Sequence, residues 1–263
     1  DIFLYEDHGS LPHNDIFTGY DNIHITRIED MPSYVSNHKG TKTQQYLYKY
    51  LLGYMKKNYD YDWVAFIDID EFIMFDDGYD LEKLCDEFKD YTGVWLAWKN
   101  FNACGNIHTP KNKSIFDAYP YSSDHYIDLG VNNVNGHKWN KKSIVNIKYT
   151  YKWYNIHEIF GGCDTRFNKN RCARCVYDKA WINHYFCKSF EDYIERMSRK
   201  GNMGNPFRNY DNFFNLNPEM RSKEKQLMDF ARKYHTPDMH FLSKKYNAIA
   251  GGNIETINTI KFR

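Results

Sequence analysis

Two repeating patterns of apolar residues predict the helices and strands of the chain. Between residues 41 and 57, apolar side chains recur at helical spacing, which predicts an amphipathic helix. The run Trp-Val-Ala-Phe-Ile at 63–67 is apolar throughout, as expected of a strand that is covered on both faces of a mostly parallel sheet. Shorter apolar or alternating runs predict strands at 2–5, 22–28, 93–99 and 143–150.

Polar residues mark the starts of three further helices. They are Asp80, the pair Ser189 and Asp192, and the pair Asn217-Pro218. The second of these resembles a capping box, and Gly201 ends its helix. The order strand, strand, helix, strand, helix, strand predicts an α/β domain with Rossmann-like winding.

Charge and hydropathy limit the classes of partner. Lysine plus arginine number 35 and aspartate plus glutamate 34, so a net charge of +1 makes neither nucleic acid nor a strongly anionic membrane an obligatory partner. No apolar run approaches the roughly 20 residues that span a bilayer. We therefore expect a soluble domain, either cytoplasmic or associated with a membrane through segments that this sequence lacks.

The aromatic fraction is high, at 18% with 23 tyrosines. A flat ring offers an apolar face to the C–H groups of a sugar, while its polar tip takes a hydroxyl. The same composition fits an aromatic-rich core and surface, so both interpretations stay open.

The six cysteines allow several kinds of site. Four of them lie near His184: Cys163, Cys172, Cys175 and Cys187. Reduced structural thiols, a disulfide and a structural zinc site all fit this spacing, which lacks a second Cys-x-x-Cys pair. Cys85 falls on the apolar side of a predicted helix and is expected to be a small buried hydrophobe.

Two aspartates directly follow the best-defined strand. Alternate side chains of an extended chain share a face, so Asp68 and Asp70 are predicted to approach one ion. Close carboxylates repel each other unless a positive charge lies between them, and a hard divalent cation supplies it. Mg²⁺ or Mn²⁺ usually completes its shell with phosphate oxygens, which predicts a nucleoside diphosphate beyond the strand ends. The alternative is a solvated acidic turn, whose negative character Asp76, Asp77 and Asp80 continue.

Four segments resemble, in order, motifs of glycosyltransferase family 92 and related family-2-like glycosyltransferases. Asp-Ile-Asp-Glu-Phe at 68–72 resembles their DxDEF strand, and Glu-Asp-His-Gly-Ser at 6–10 resembles their acidic Gly-Ser turn. The segment 98–106 is similar to their W-x-x-F-G-x-x-G element, with Asn102 in place of the usual glycine. Asn-His-Tyr-Phe-Cys-Lys-Ser at 183–189 is similar to their H-Y-x-x-K-S motif.

The resemblance implies the GT-A fold. This fold has a mostly parallel, Rossmann-like central sheet. We also expect a smaller sheet on the acceptor side and helices at the C-terminal end. We expect the catalytic domain over 1–205 and a helical extension over 206–263. The strand and helix with which these enzymes normally begin are absent from the sequence, which indicates a fragment or a nucleotide pocket that is built differently.

The resemblance also implies metal-dependent, inverting transfer of a sugar to a glycan acceptor, with UDP-galactose or a relative as donor. Mn²⁺ or Mg²⁺ is expected at Asp68, Asp70 and His184, and Lys188 is expected to meet the diphosphate. The remaining residues predicted at the nucleotide sugar are Glu6, Asp7, Gln44, Gln45, Trp98, Asn100 and Asn106, with Asp68 shared between metal and nucleotide.

Inverting transfer needs a base that takes the proton of the acceptor hydroxyl. His157 and Glu158 end a strand-like segment on the predicted acceptor side, and these enzymes frequently have a histidine at a position similar to His157. Asp164 and His108 are the second choices for this role.

Two other classes of protein stay open. A Mg²⁺-dependent phosphatase or phosphotransferase also uses a D-x-D strand end, but here Glu71 and Phe72 replace the typical threonine and glycine. A noncatalytic carbohydrate-binding module accounts for the aromatic residues, yet needs no acidic pair beside His184 and Lys188.

Overall fold

A computed structural model describes the greater part of the chain. The described residues are 1–6, 17, 19–38, 41–122, 141–150, 152–153, 159–160, 174–176, 178–198 and 210–233. The strands are β1 (Ile2–Glu6), β2 (Ile23–Arg27), β3 (Trp63–Ala65), β4 (Glu71–Phe75), β5 (Gly93–Asn100), β6 (Lys141–Asn146), β7 (Lys152–Trp153), β8 (Ile159–Phe160), β9 (Arg174–Val176) and β10 (Ala180–His184). The α-helices are α1 (Ser33–Ser36), α2 (Thr41–Asn58), α3 (Leu81–Glu87), α4 (Ile115–Ala118), α5 (Phe190–Ser198), α6 (Tyr210–Leu216) and α7 (Glu224–Lys233). Two 3-10 helices cover Ile28–Asp30 and Pro218–Lys223.

The largest described sheet is mixed. Its order is β3-β6-β5-β10-β4, with β9 beside the first half of β5. Only the pairs β5–β10 and β5–β9 are parallel, while β3–β6, β5–β6 and β4–β10 are antiparallel. The prediction of a mostly parallel sheet is therefore wrong, because an apolar run shows that a strand is covered but not in which direction it runs. A parallel pair β1–β2 and an antiparallel pair β7–β8 complete the described strands.

Strand direction gathers five strand ends at one edge of this sheet. Since β3 and β5 are both antiparallel to β6, and β10 is parallel to β5, the carboxyl ends of β3, β5 and β10 point the same way. The amino ends of β4 and β6 lie at that edge too. The link 66–70, which carries both aspartates, crosses this edge from β3 to β4.

Helices cover both faces of the sheet. Side chains of α2 pack with Val145, whereas Leu84 and Phe88, at α3, pack with Ile144. Because neighbouring residues of a strand point to opposite faces, α2 and α3 lie on opposite sides. The predicted helix at 41–57 is confirmed as α2.

Local signals at two of the other helix starts are also borne out, whereas Asn217-Pro218 opens a 3-10 helix with no side-chain cap, and the α-helix follows at Glu224. Asp80 Oδ1 accepts a hydrogen bond from Lys83 N at 2.8 Å, which caps α3. Ser189 Oγ accepts from Asp192 N at 3.1 Å, and Asp192 Oδ2 accepts from Ser189 N at 3.2 Å, so the capping box before α5 is confirmed. The helices α5, α6 and α7 share one apolar core with Cys187.

Gly93, on β5, has no room for a side chain. A Cβ added there meets the backbone oxygen of Ile144 at 2.7 Å. We expect Gly93→Ala to lower the free energy of unfolding by about 1–3 kcal/mol, because backbone must shift to accept the methyl group. Gly53→Ala is the control: Gly53 lies on the exposed face of α2, no atom of the described residues lies within 4 Å of the new Cβ, and the change should stabilise slightly. Equal effects of the two changes in urea unfolding would contradict this account.

Candidate active site

Asp68 lies on the link between β3 and β4 and is held by two side chains. Its Oδ1 accepts from Gln44 Nε2 at 2.8 Å, and its Oδ2 accepts from Lys142 Nζ at 3.1 Å. Gln44 Nε2 also donates to the hydroxyl of Tyr48 at 2.8 Å. The first turn of α2 and the start of β6 therefore fix the direction of Asp68, whose side chain stays 39% exposed.

The ammonium group of Lys142 is buried beside Asp68 and Glu71. Its Nζ lies 3.7 Å from Glu71 Oε2, and both side chains are fully buried. Lys142 pairs with Leu96 on β5. It lies two residues before Ile144, the partner of the last β3 residue, so its side chain extends beneath the link 66–70. Glu71 Oε2 also accepts from Asp68 N at 3.0 Å, whereas its buried Oε1 has no hydrogen-bond partner among the described residues. Lys142 is thus the positive group that the carboxyl groups of Asp68 and Glu71 share.

Burial controls the protonation of Glu71. Loss of hydration raises the pKa of this carboxyl to about 8 from the ordinary 4.5; the Lys142 ammonium lowers the pKa, while the Asp68 carboxylate raises it. Near neutral pH the folded protein therefore holds a proton at Glu71 that an unfolded chain releases.

This proton makes the stability of the metal-free protein depend on pH. Below the ordinary pKa of 4.5 both states bind the proton; between there and about pH 8 only the folded state does, so stability falls as pH rises through this window. Glu71→Gln should remove this part of the slope. Urea unfolding in EDTA between pH 5 and 8 measures it, and parallel pH profiles of the two proteins would contradict the assignment.

Asp70 faces a different set of groups from Asp68. Its Oδ2 accepts from Arg196 NH1 at 3.1 Å, and its Oδ1 lies 4.0 Å from His184 Nε2. The side chains of Asp70 and His184 are only 11% and 4% exposed. The two aspartates diverge because β3 ends at Ala65 and the link forms a turn, in which Glu71 N donates to Asp68 O at 3.0 Å.

His184 is oriented by its neighbours in the sheet. It pairs with Glu71 on β4 and with Asn100 on β5, and its ring lies 4.2 Å from that of Trp98. Nδ1 lies 2.8 Å from Asn100 Oδ1. Because an amide oxygen only accepts, Nδ1 carries a proton, and a neutral imidazole in this orientation would present the lone pair of Nε2 to Asp70.

The pair formed by Asp70 and His184 suits a divalent cation. Two ligands that each lie about 2.1 Å from one ion stand at most about 4.2 Å apart, and a metal-binding histidine usually donates its second N–H to an oxygen. The observed 4.0 Å between Asp70 Oδ1 and His184 Nε2 lies within this limit. Within the described part of the chain, no three His, Cys, Asp or Glu side chains converge on one point, so Asp68 does not join the pair.

The other predicted residues divide into those near this pair and those elsewhere. Trp98 and Asn100 contact His184. Gln44, rather than Gln45, reaches Asp68. Asn106 Nδ2 donates to Ala118 O at 3.1 Å, and His108 lies beside Glu191, so neither makes a contact with the aspartates. Glu6 ends β1 and pairs with Arg27.

Lys188 has a backbone conformation that is unusual for a side-chain-bearing residue. Its φ angle is +52°, between buried Cys187 and the cap residue Ser189. It makes no hydrogen bond or ion pair with the described residues. Asp7, His157, Glu158 and Asp164 lie outside the described residues, as do Cys163, Cys172 and the side chain of Cys175.

Two basic residues of the site, Lys142 and Arg196, were not predicted from the sequence. Lys142 could have been found from the alternation of β6, which places it on the same strand face as buried Ile144. Arg196 follows Ser189 by seven residues, two turns of helix, and this spacing alone carries no chemical signal. Both are recognised only through their contacts with Asp68 and Asp70.

The sequence was compared with known proteins. Residues 20–200, well over half of the chain, match the model of glycosyltransferase family 92. The chain belongs to glycosyltransferase family 92. This confirms the resemblance drawn from the four motifs, and it identifies the protein as a glycosyltransferase. No curated protein matches the sequence.

The segment that matches family 92 contains most of the candidate site. The matched range contains Asp68, Asp70, Lys142, His184 and Arg196, whereas Glu6 precedes it. A glycosyltransferase of this kind takes its sugar from a nucleotide sugar and passes it to a glycan. None of the described helices of this family 92 protein is long and apolar enough to cross a membrane.

Proposed function

We propose that the protein transfers a hexose from a UDP-linked donor to a glycan acceptor, with inversion and with Mn²⁺ or Mg²⁺, on a GT-A framework. The observation that carries this proposal is the buried pair of Asp70 Oδ1 and His184 Nε2, 4.0 Å apart where β5 and β10 end. In α/β proteins, ligands bind beyond the carboxyl ends of strands.

Asp70 and His184 would hold the cation, with phosphate oxygens and water completing its shell. When bound, the cation supplies positive charge to the leaving diphosphate, where negative charge grows during transfer. Lys188 is proposed to add a second positive charge at the same group. Trp98 and Asn100 keep His184 in the tautomer and orientation that this role requires.

Asp68 is proposed to contact hydroxyl groups of the nucleotide sugar. Gln44 and Lys142 fix its carboxylate, yet its exposed fraction of 39% leaves room for one more donor. Each carboxylate oxygen has two lone pairs, so a hydroxyl can join without breaking either contact. The acceptor base is proposed to be His157 or Glu158, with Asp164 as the second choice.

A screen of nucleotide sugars tests this function. The protein is incubated with UDP-hexoses, with and without glycan acceptors, in Mn²⁺ or in EDTA, and released UDP is measured. We expect release from at least one UDP-hexose in Mn²⁺ and its loss in EDTA. Turnover that EDTA leaves unchanged, or release of phosphate from simple esters without any release of UDP, would contradict the proposal.

A further inference from the structure

Arg196 is fixed in the site by one of its terminal nitrogens. NH1 donates to Asp70 Oδ2 at 3.1 Å and to Phe186 O at 2.8 Å. A terminal guanidinium nitrogen carries two N–H groups, so these contacts use both. The guanidinium carbon also lies 4.6 Å from the centroid of the Phe186 ring, which supports the planar group from one side.

Contacts along the segment from His184 to Arg196 hold both residues next to Asp70. Tyr185 N donates to Asp70 O at 2.9 Å, and the capping box of Ser189 and Asp192 starts α5 immediately afterwards. Phe186, whose ring lies against the Arg196 guanidinium, follows His184 by two residues. The guanidinium is thus placed relative to Asp70 and His184 by the same short stretch of chain.

The second edge of the guanidinium remains available to a ligand. Nε and NH2 make no hydrogen bond to any residue that the structure describes, and the side chain is 34% exposed. These two nitrogens present parallel N–H groups, the arrangement that binds two oxygens of a phosphate or carboxylate. If Arg196 were only the partner of Asp70, we would expect Nε and NH2 to face the carboxylate, because together they donate two parallel hydrogen bonds.

We propose that Arg196 binds the diphosphate of the donor nucleotide through Nε and NH2. The inference rests on the proposed function, and it adds a phosphate-binding residue that does not depend on the divalent cation. Arg196 NH1 contacts Asp70 Oδ2, whereas Oδ1 faces His184 Nε2, so the guanidinium and the cation would use different oxygens of this carboxylate. The site therefore keeps part of its affinity for a nucleoside diphosphate in the absence of metal.

Binding measurements in EDTA separate this role from a structural one. Titration calorimetry is done with UDP, inorganic pyrophosphate and uridine, for the wild type and for Arg196→Gln and Arg196→Lys. We expect Arg196→Gln to weaken UDP and pyrophosphate binding by about 10-fold or more, as for loss of a charge-assisted pair of hydrogen bonds. Uridine binding should not change, and Arg196→Lys should recover part of the loss.

Arg221→Gln is the matched control. Arg221 also lies over a phenylalanine ring, 5.2 Å from that of Phe214, but contacts none of the aspartates. Its substitution should leave all three affinities unchanged. Should Arg196→Gln fail to fold, Arg196→Lys, which keeps the charge and loses the two-pronged edge, must still weaken UDP binding several-fold.

Two results would overturn the inference. One is unchanged UDP affinity in a folded Arg196 variant; the other is wild-type protein that binds neither UDP nor pyrophosphate in EDTA. Both leave the proposed function intact if UDP-hexose turnover in Mn²⁺ is seen. Absence of that turnover, and of UDP binding in Mn²⁺, would instead remove the proposed function.

Discussion

Asp70→Asn is expected to lower the turnover of a UDP-hexose at saturating Mn²⁺ by about 10³-fold or more, the loss typical when charge stabilisation is removed from an active site. An amide keeps the shape of Asp70 but removes the charge that faces His184 Nε2 at 4.0 Å. It also leaves the guanidinium of Arg196 without its carboxylate partner. Steady-state release of UDP measures the effect.

The control for Asp70→Asn is another acidic residue of the same region. Asp77 lies in the exposed turn after β4, and Asp77→Asn should leave turnover within about twofold of the wild type, as expected of a surface change. Circular dichroism and thermal unfolding check that both variants fold. An Asp70→Asn enzyme that retains a tenth or more of wild-type turnover would contradict the role given to this carboxylate.

Lys142→Met is expected to lower the free energy of unfolding by about 3–5 kcal/mol, since removing one partner of a buried ion pair leaves an uncompensated charge. Lys142 is fully buried and lies 3.1 Å from Asp68 Oδ2 and 3.7 Å from Glu71 Oε2. Methionine fills a similar volume, so the loss reports the charge rather than a cavity. Urea unfolding at pH 9 measures it, because Glu71, whose pKa is raised to about 8, is then ionised in the folded protein.

A second substitution shows where the lost stability comes from. The double variant Lys142→Met with Glu71→Gln should recover part of the loss, because the neutral amide no longer needs the ammonium group. Lys141→Met is the matched control: Lys141 lies over the Trp95 ring on the opposite strand face, and its loss should cost about 1 kcal/mol or less. Equal losses from the two lysines would contradict the account of the buried pair.

Local sequence signals predicted part of this fold: they indicated β1, β2, β3, β5 and β6, but not β4 or β10, which flank the site. The helical spacing at 41–57, the cap at Asp80 and the box formed by Ser189 and Asp192 each depend on residues a few positions apart, and all three are present. The strand order was not predictable in this way. The link 66–70 connects β3 and β4, the two outermost strands of the sheet order, and no local pattern encodes that distance.

Asp68 and Asp70 were predicted from the end of the buried strand, whereas His184, Trp98 and Asn100 were predicted from the resemblance to family 92. Asp70, His184, Asn100 and Trp98 were expected together and are in contact or face each other. The shared direction of Asp68 and Asp70 was inferred from an extended chain, but the turn after Ala65 separates them. Lys142 and Arg196 reach the carboxylates from 74 and 126 residues away in sequence, which only the folded chain reveals.

The proposed mechanism requires a cation between Asp70 and His184. Electron paramagnetic resonance of Mn²⁺, titrated into the protein with UDP present, counts bound ions directly and does not require turnover. We expect one bound ion per wild-type chain and little or none in Asp70→Asn and His184→Ala, with Asp77→Asn like the wild type. Mn²⁺ binding that both site variants leave unchanged would contradict the account.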